Sequence, residues 1–276
     1  MTVPAVKLND GNHIPQLGYG VWQVGNDEAI SAVSEALKVG YRHIDTAAIY
    51  GNEEGTGKAI NESGIARGDI YLTTKLWNKE QGYESTLKAF DESLKKLGTD
   101  YVDLYLIHWP LPSKDLFMET WRAFIKIKEE GRAKSIGVSN FRTADLERIL
   151  KESDVVPVLN QIELYPQFQQ DELRLFHSKH NIATEAWSPL GQGTILENPT
   201  LKTIAEKHGK SVAQVILRWH IETGNIVIPK SVTPARIKEN FEVFDFSLNG
   251  TDHDAITKLD KTDGRIGPNP ATFSVV

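Results

Sequence analysis

The chain has 276 residues, 40% of them hydrophobic and 25% charged, a composition that suits a soluble globular protein with a large core. Its net charge of −6 comes from interspersed signs and not from a run, which argues against nucleic acid as a partner. Cysteine is absent, so disulfides, thiolate nucleophiles and cysteine-ligated metals are excluded, and a cytoplasmic setting fits best.

The start, MTVPAVKLND, has no basic head followed by an apolar run, so no signal peptide is read there. No window approaches the roughly 20 apolar residues of a membrane span. The first element is VKLNDGNHIP, Val6 to Pro15, whose NDGN turn between short apolar flanks predicts a β-hairpin. After it one unit repeats. Strand patterns begin at Leu17 (LGYGV), Arg42 (RHID), Ile70 (IYLTTK), Val102 (VDLYLIH), Lys134 (KSIGVS), Val156 (VPVLNQ), Ile182 (IATEAW) and Asn225 (NIVIP). Between them lie apolar residues at helical spacing, such as Ile30, Val33 and Leu37 or Met118, Trp121 and Ile125. Gly40, Gly131, Gly209 and Gly224 follow such stretches, where a helix end favours a residue tolerant of positive φ.

Strands and helices alternating in this way predict parallel β/α units, and eight of them predict a closed (β/α)₈ TIM barrel. Residues 1–276 are expected to form one domain, with extra helices before the last strand around Leu201 to His208 and Ser211 to Thr223. The tail DGRIGPNPATFSVV, Asp263 to Val276, is too rich in Gly and Pro for a helix. It reads as an extended cover, short enough to leave a pocket open, or as a frayed terminus.

A parallel barrel gathers its active site at the C-terminal ends of its strands. Polar residues there are Asp45 with Tyr50 in the following loop, Lys75, His108, Ser139 with Asn140, then Asn160, Gln161 and Glu163, and finally Lys230 with Ser231. Each alone has an ordinary structural explanation, as a cap, a snorkelling chain or a satisfied core histidine. Asp45, Tyr50, Lys75 and His108 on one rim suggest proton donation. An ammonium beside a phenol favours the phenolate and lowers its pKa from about 10, and a carboxylate keeps that ammonium charged. His108 would orient the reacting oxygen.

The segments GYRHIDTAAIYGNE from Gly40, TTKLW from Thr73, DLYLIHWP from Asp103, GVSN from Gly137, NQIE from Asn160, SPLG from Ser188 and IPKS from Ile228 resemble the aldo-keto reductase family over nearly the whole chain. Within it they look like the bacterial 2,5-diketo-D-gluconate reductases. The resemblance implies a barrel that transfers hydride from NADPH to aldehydes, ketones or dicarbonyls without a metal, and a monomer whose partner is a small carbonyl substrate. It places the family's tetrad on Asp45, Tyr50, Lys75 and His108, with Tyr50 as proton donor.

It also implies a cofactor site. Ser139, Asn140 and Gln161 would hold the nicotinamide carboxamide and Trp187, where many members have tyrosine, would stack on the ring. Gly20, Val21 and Trp22 would lie beside it. Ser188, Leu190, Gln192 and Gly193 would line the pyrophosphate loop, and Lys230, Ser231, Val232, Arg236, Glu239 and Asn240 the adenosine end. The last group also reads from the residues themselves, since Thr233 and Pro234 open a helix flanked by two cations, a natural phosphate site. Tyr165 stands where histidine is frequent in relatives and is assigned no role. Trp22, Trp77 and Trp109 follow strand ends and would wall the substrate pocket, with core packing as the rival explanation.

Two signals are set aside. GNEEGTGK, Gly51 to Lys58, looks like a phosphate loop but has the wrong spacing, with Ala59 where Ser or Thr belongs. His177 and His180 hint at metal but lack a third ligand, and a solvated helix face explains them. A Schiff-base aldolase using Lys75 and a cofactor-binding sensor without turnover are the competing readings.

Overall fold

A computed structural model of the protein describes residues 3–276; Met1 and Thr2 of the MTVPAVKLND start lie outside the described residues. The hairpin pairs β1 (Ala5–Lys7) antiparallel with β2 (His13–Pro15), Val6 opposite Ile14. Eight parallel strands follow in simple order: β3 (Tyr19–Gly20), β4 (His43–Asp45), β5 (Tyr71–Leu76), β6 (Val102–Ile107), β7 (Ala133–Ser139), β8 (Leu159–Glu163), β9 (Ala183–Trp187) and β10 (Ile226–Val227). Hydrogen bonds close the ring between its first and last strands: Gly18 N–H donates to Val227 O at 2.8 Å, Val227 N–H to Gln16 O at 2.9 Å and Gly20 N–H to Pro229 O at 3.1 Å. All eight strand patterns thus become barrel strands.

The connecting helices are α1 (Asn26–Val39), α2 (Glu53–Glu62), α3 (Tyr83–Leu97), α4 (Phe117–Glu129), α5 (Thr143–Glu152) and α6 (Asp171–Lys179). After β9 come α7 (Pro199–His208) and α8 (Val212–Glu222), as the spacing before the last strand predicts, and then α9 (Pro234–Phe241) and α10 (Gly250–Thr257) after β10. Alternation along the strands decides which residues meet. On β6, Leu104 and Leu106 enter the lumen and pack with Leu159 and Ile226, while Leu8 and Ile14 from the hairpin region seal that end. Tyr105 points outward instead, stacked on Phe124 of α4 with centroids 4.3 Å apart. Burying each such side chain contributes roughly 1.5–3 kcal/mol.

The same alternation sends His43 and Asp45, Lys75, Gln161 and Glu185 into the lumen, where hydrogen bonds join Lys75 to Asp45, Asp45 to Gln161 and Gln161 to Glu185, and His43 Nε2 lies 3.6 Å from Glu185 Oε1. GNEEGTGK runs from the turn at Gly51 into α2. A Cβ on Gly55 would come 2.0 Å from Asn26 O, and one on Gly57 2.3 Å from Leu97 O, so these glycines let α2 lie against the neighbouring helices. His177 departs from expectation. It is buried, not solvated, with Nε2 3.0 Å from Asn160 Nδ2 and Nδ1 2.9 Å from Thr184 Oγ1. Asn160 therefore faces outward from the strand and away from the rim.

Candidate active site

The centre of the rim is Lys75, at the C-terminal end of β5 and fully buried. Its ammonium donates to Asp45 Oδ1 at 2.6 Å, to Thr46 O at 2.8 Å and to the Tyr50 hydroxyl at 3.4 Å. A buried charge needs such partners, because desolvation otherwise costs more than any single contact returns. Burial alone would lower the pKa of Lys75; Asp45, Tyr50 and Glu185 overcome it and raise the value, so the ammonium stays charged.

Tyr50 is carried by the short turn Ala48–Tyr50 that follows β4. Here the expectation of a lowered phenol pKa is corrected. Burial outweighs the nearby ammonium, with Asp45 adding to it, and the pKa lies above 10. The phenol keeps its proton in the structure as it stands, and Lys75 limits the rise.

His108, just past β6, has its ring edge-on to Tyr50 at 5.7 Å between centroids and to Trp77 at 5.3 Å. Burial, helped by the charge on Lys75, pushes its pKa well below 6.5. The imidazole is therefore neutral, and its Nδ1 has no partner among the described residues. The structure thus brings all four members of the expected quartet together.

The expected cofactor residues line the same rim and run outward from it. Ser139 Oγ donates to Gln161 O at 2.9 Å, and Asn140, at a left-handed φ of 62°, donates from Nδ2 to His108 O at 3.0 Å. Trp187 Nε1 donates to Asn140 Oδ1 at 2.8 Å, which fixes the indole plane. Gly20 and Val21 are buried beside β4, Val21 N–H donating to Asp45 O at 3.1 Å, whereas Trp22 is 41% exposed. Ser188, Gln192 and Gly193 all have positive φ, in a loop that passes Leu190 and exposes Gln192 and Gly193.

At the far end, Tyr19 donates its hydroxyl to Ser231 O, and Thr233 precedes Pro234 at the start of α9. Lys230, Val232 and Arg236 are exposed, Glu239 is half-buried and Asn240 buried. Neither Lys230 nor Arg236 forms an ion pair with any described residue; the exposed Arg122 forms none either, whereas the half-buried Arg132, Arg148, Arg174 and Arg218 do. Two unpaired cations at a helix start, with an exposed loop of positive-φ residues and a fixed indole, fit a phosphorylated dinucleotide.

Trp77 and Trp109 both flank His108 at the mouth, but the tail does not leave it open. Phe273 lies 4.2 Å from Trp109 and 6.4 Å from Trp77 between centroids, and Asn78 Nδ2 donates to Val275 O at 2.7 Å. Trp109 is only 6% exposed as a result. Upstream, Glu163 accepts from Ile266 N–H at 2.6 Å and Gly267 N–H at 3.0 Å, and Tyr165 donates its hydroxyl to Gly264 O. Gly267 rests on Trp187, since a Cβ there would be 2.4 Å from Cη2 of the indole. The frayed-terminus alternative is thereby set aside.

Sequence reasoning missed three participants: Glu163 as the tail anchor, Phe273 as a wall, and Glu185. The signal for Glu185 was an acid inside the apolar strand ATEAW, two residues before Trp187 and hence on its face of the sheet.

The chain is similar to known proteins over most of its length. The Aldo/keto reductase family model matches residues 16–261. A crystal structure of an aldo/keto reductase from Brucella melitensis is 87% identical, with TM-score 0.93 over 94% of this chain and 99% of its own. That of a Gox0644 mutant in complex with NADPH is 51% identical, with TM-score 0.96 over 99% of each chain. Methylglyoxal reductase DkgA of Escherichia coli (strain K12) is 49% identical over 97% of each chain. Among the described residues no helix is long and apolar enough to cross a membrane. Matches of this extent span the barrel together with its rim, and they establish that the chain belongs to the aldo/keto reductase family.

Proposed function

We propose that this protein reduces small aldehydes, ketones or dicarbonyls with NADPH, and that Tyr50 gives the proton. The observation that carries the reading is the buried Lys75 ammonium, held 2.6 Å from Asp45 Oδ1 and 3.4 Å from the Tyr50 hydroxyl. NADPH supplies the hydride when bound. Lys230 and Arg236 would take its phosphate, Ser139, Asn140 and Gln161 its carboxamide, and Trp187 the face of its ring.

As charge builds on the carbonyl oxygen, the neutral His108 imidazole orients that oxygen, having one N–H to offer and no proton to spare. Tyr50, protonated across the physiological range, then releases its proton to an oxygen that has become more basic than a phenolate. Lys75 stabilises the phenolate that remains, and Asp45 keeps Lys75 charged. General acid help of this kind supplies roughly 10² to 10⁴ in rate. The same charge makes Lys75 a poor Schiff-base nucleophile. The relative that reduces methylglyoxal, and the Gox0644 mutant seen with NADPH, support a dicarbonyl substrate and this cofactor.

Trp22, Trp77 and Trp109, with Phe273, wall the pocket with apolar surface and favour compact, weakly polar carbonyls. The test is the loss of NADPH absorbance across a panel of aldehydes, dicarbonyls and keto-sugars. Turnover of methylglyoxal or a near analogue is expected, and no oxidation with any member would sink the reading.

A further inference from the structure

Glu185 is a fully buried acid in the barrel lumen that none of the roles above uses. It lies beside Gln161 in the register of β8 and β9, and its Oε2 accepts from Gln161 Nε2 at 2.8 Å. The same nitrogen donates to Asp45 Oδ2, across the lumen on β4, at 2.9 Å. An amide nitrogen carries two hydrogens, so both are committed. The carbonyl oxygen of that amide receives no hydrogen bond from a described residue and is not among the atoms sealed from solvent without a partner.

We propose that Glu185 is a positioning residue which, by sharing the Gln161 amide nitrogen with Asp45, fixes the plane of that amide and leaves its carbonyl oxygen to accept from the nicotinamide carboxamide. This rests on the reading of Gln161 as a cofactor contact. Asp45 alone would hold one N–H and allow the amide to swing about that bond. A second acceptor on the neighbouring strand removes the swing. It also keeps the second N–H from being left unpaired, or from being offered to the cofactor in place of the oxygen.

The surroundings of Glu185 are consistent with such a role. Facing it are His43, with Nε2 3.6 Å from Oε1, Asp45 on the same strand as His43, Lys75 and Tyr71 from β5, and Tyr50 from its turn. Burial first, then Asp45, push the carboxyl up to about 8, with Gln161 and Lys75 pulling the other way. At neutral pH Glu185 is a carboxylic acid whose Oε2 still accepts a hydrogen bond. A glutamine matches it in shape and charge.

The experiment titrates NADPH and its 3-acetylpyridine analogue, which lacks the carboxamide N–H, into wild type and variants by quenching of tryptophan fluorescence. Glu185→Leu should weaken NADPH about tenfold, the scale of one hydrogen bond, and change the analogue by less than about twofold. Glu185→Gln restores an acceptor and should keep wild-type discrimination within about twofold. Equal weakening of both cofactors by Glu185→Leu, or no weakening of either, overturns the proposal. Should the leucine variant fail to fold, loss of discrimination in Glu185→Gln overturns it too. Gln161→Leu separates the underlying reading: if it leaves NADPH affinity and discrimination unchanged, Gln161 is no cofactor contact and the proposal falls with it. If it abolishes discrimination while Glu185→Leu does not, the contact stands and only the role of Glu185 is refuted.

Discussion

The two charged regions of the site handle their charges in opposite ways. Around Lys75 every charge is buried and partnered, with Asp45, Thr46, Gln161 and Glu185 forming one hydrogen-bonded cluster. At the start of α9, Lys230 and Arg236 are exposed and unpaired among the described residues. The difference follows from solvation. An unpaired charge in the lumen would cost several kcal/mol, whereas water solvates a surface cation at little cost and leaves it free for a ligand. On the proposed reading, the inner cluster is complete before any substrate arrives, and the outer cations are left for the cofactor phosphate.

Tyr50→Phe tests this division most severely. The phenyl ring preserves packing while the proton is lost, so carbonyl reduction should fall by roughly 10² to 10⁴ while NADPH affinity holds. Steady-state turnover and cofactor titration on the same sample check both halves. A variant that turns over normally would show that Tyr50 is not the acid and that the inner cluster has been misread.

Arg236→Ala probes the outer region and should act in the reverse sense. A charge-assisted hydrogen bond to phosphate is worth roughly 1.5 to 3 kcal/mol, so NADPH should weaken by about one to two orders of magnitude. NADH, which lacks the ribose phosphate, should weaken much less. Equal losses for both would mean that the guanidinium supports α9 and does not read the phosphate.

The smallest effect is on stability and sharpens the account of the inner cluster. The folded-state pKa of Glu185, raised to about 8, exceeds that of a free glutamate near 4.5, so its contribution is fully present at low pH and is lost as pH rises toward 8. Glu185→Gln has no proton to lose. Its melting temperature relative to wild type should therefore climb between pH 5 and pH 9. A difference that stays constant with pH would show that Glu185 is already ionised in the folded protein.

Much of this was legible in the sequence because periodicity is local. Eight strand patterns and the helical spacing between them follow from side-chain alternation, and the quartet followed from asking which strands end in polar residues. What escaped were effects of closure. Asn160 and Gln161 are adjacent in sequence but face opposite sides of β8, one to His177 outside and one to Asp45 inside. The shift of the Tyr50 pKa was misjudged because the neighbouring ammonium is visible in sequence, while the depth of burial is a property of the closed barrel. The tail escaped because its structure comes from Glu163, Tyr165, Asn78 and Trp109, all more than 95 residues away along the chain.

That tail has a consequence for how such a protein changes over time. Phe273 touches Trp109 and Trp77 at the mouth and belongs to no barrel strand or helix, and the segment is held mainly by backbone hydrogen bonds to Glu163 and Asn78. Backbone bonds are indifferent to which side chain the residue carries. The pocket wall at Phe273 is therefore free to vary in size and polarity while the Asp45 and Lys75 cluster and the barrel core stay untouched. New carbonyl substrates could be acquired at the end of the chain without renegotiating the chemistry at its centre.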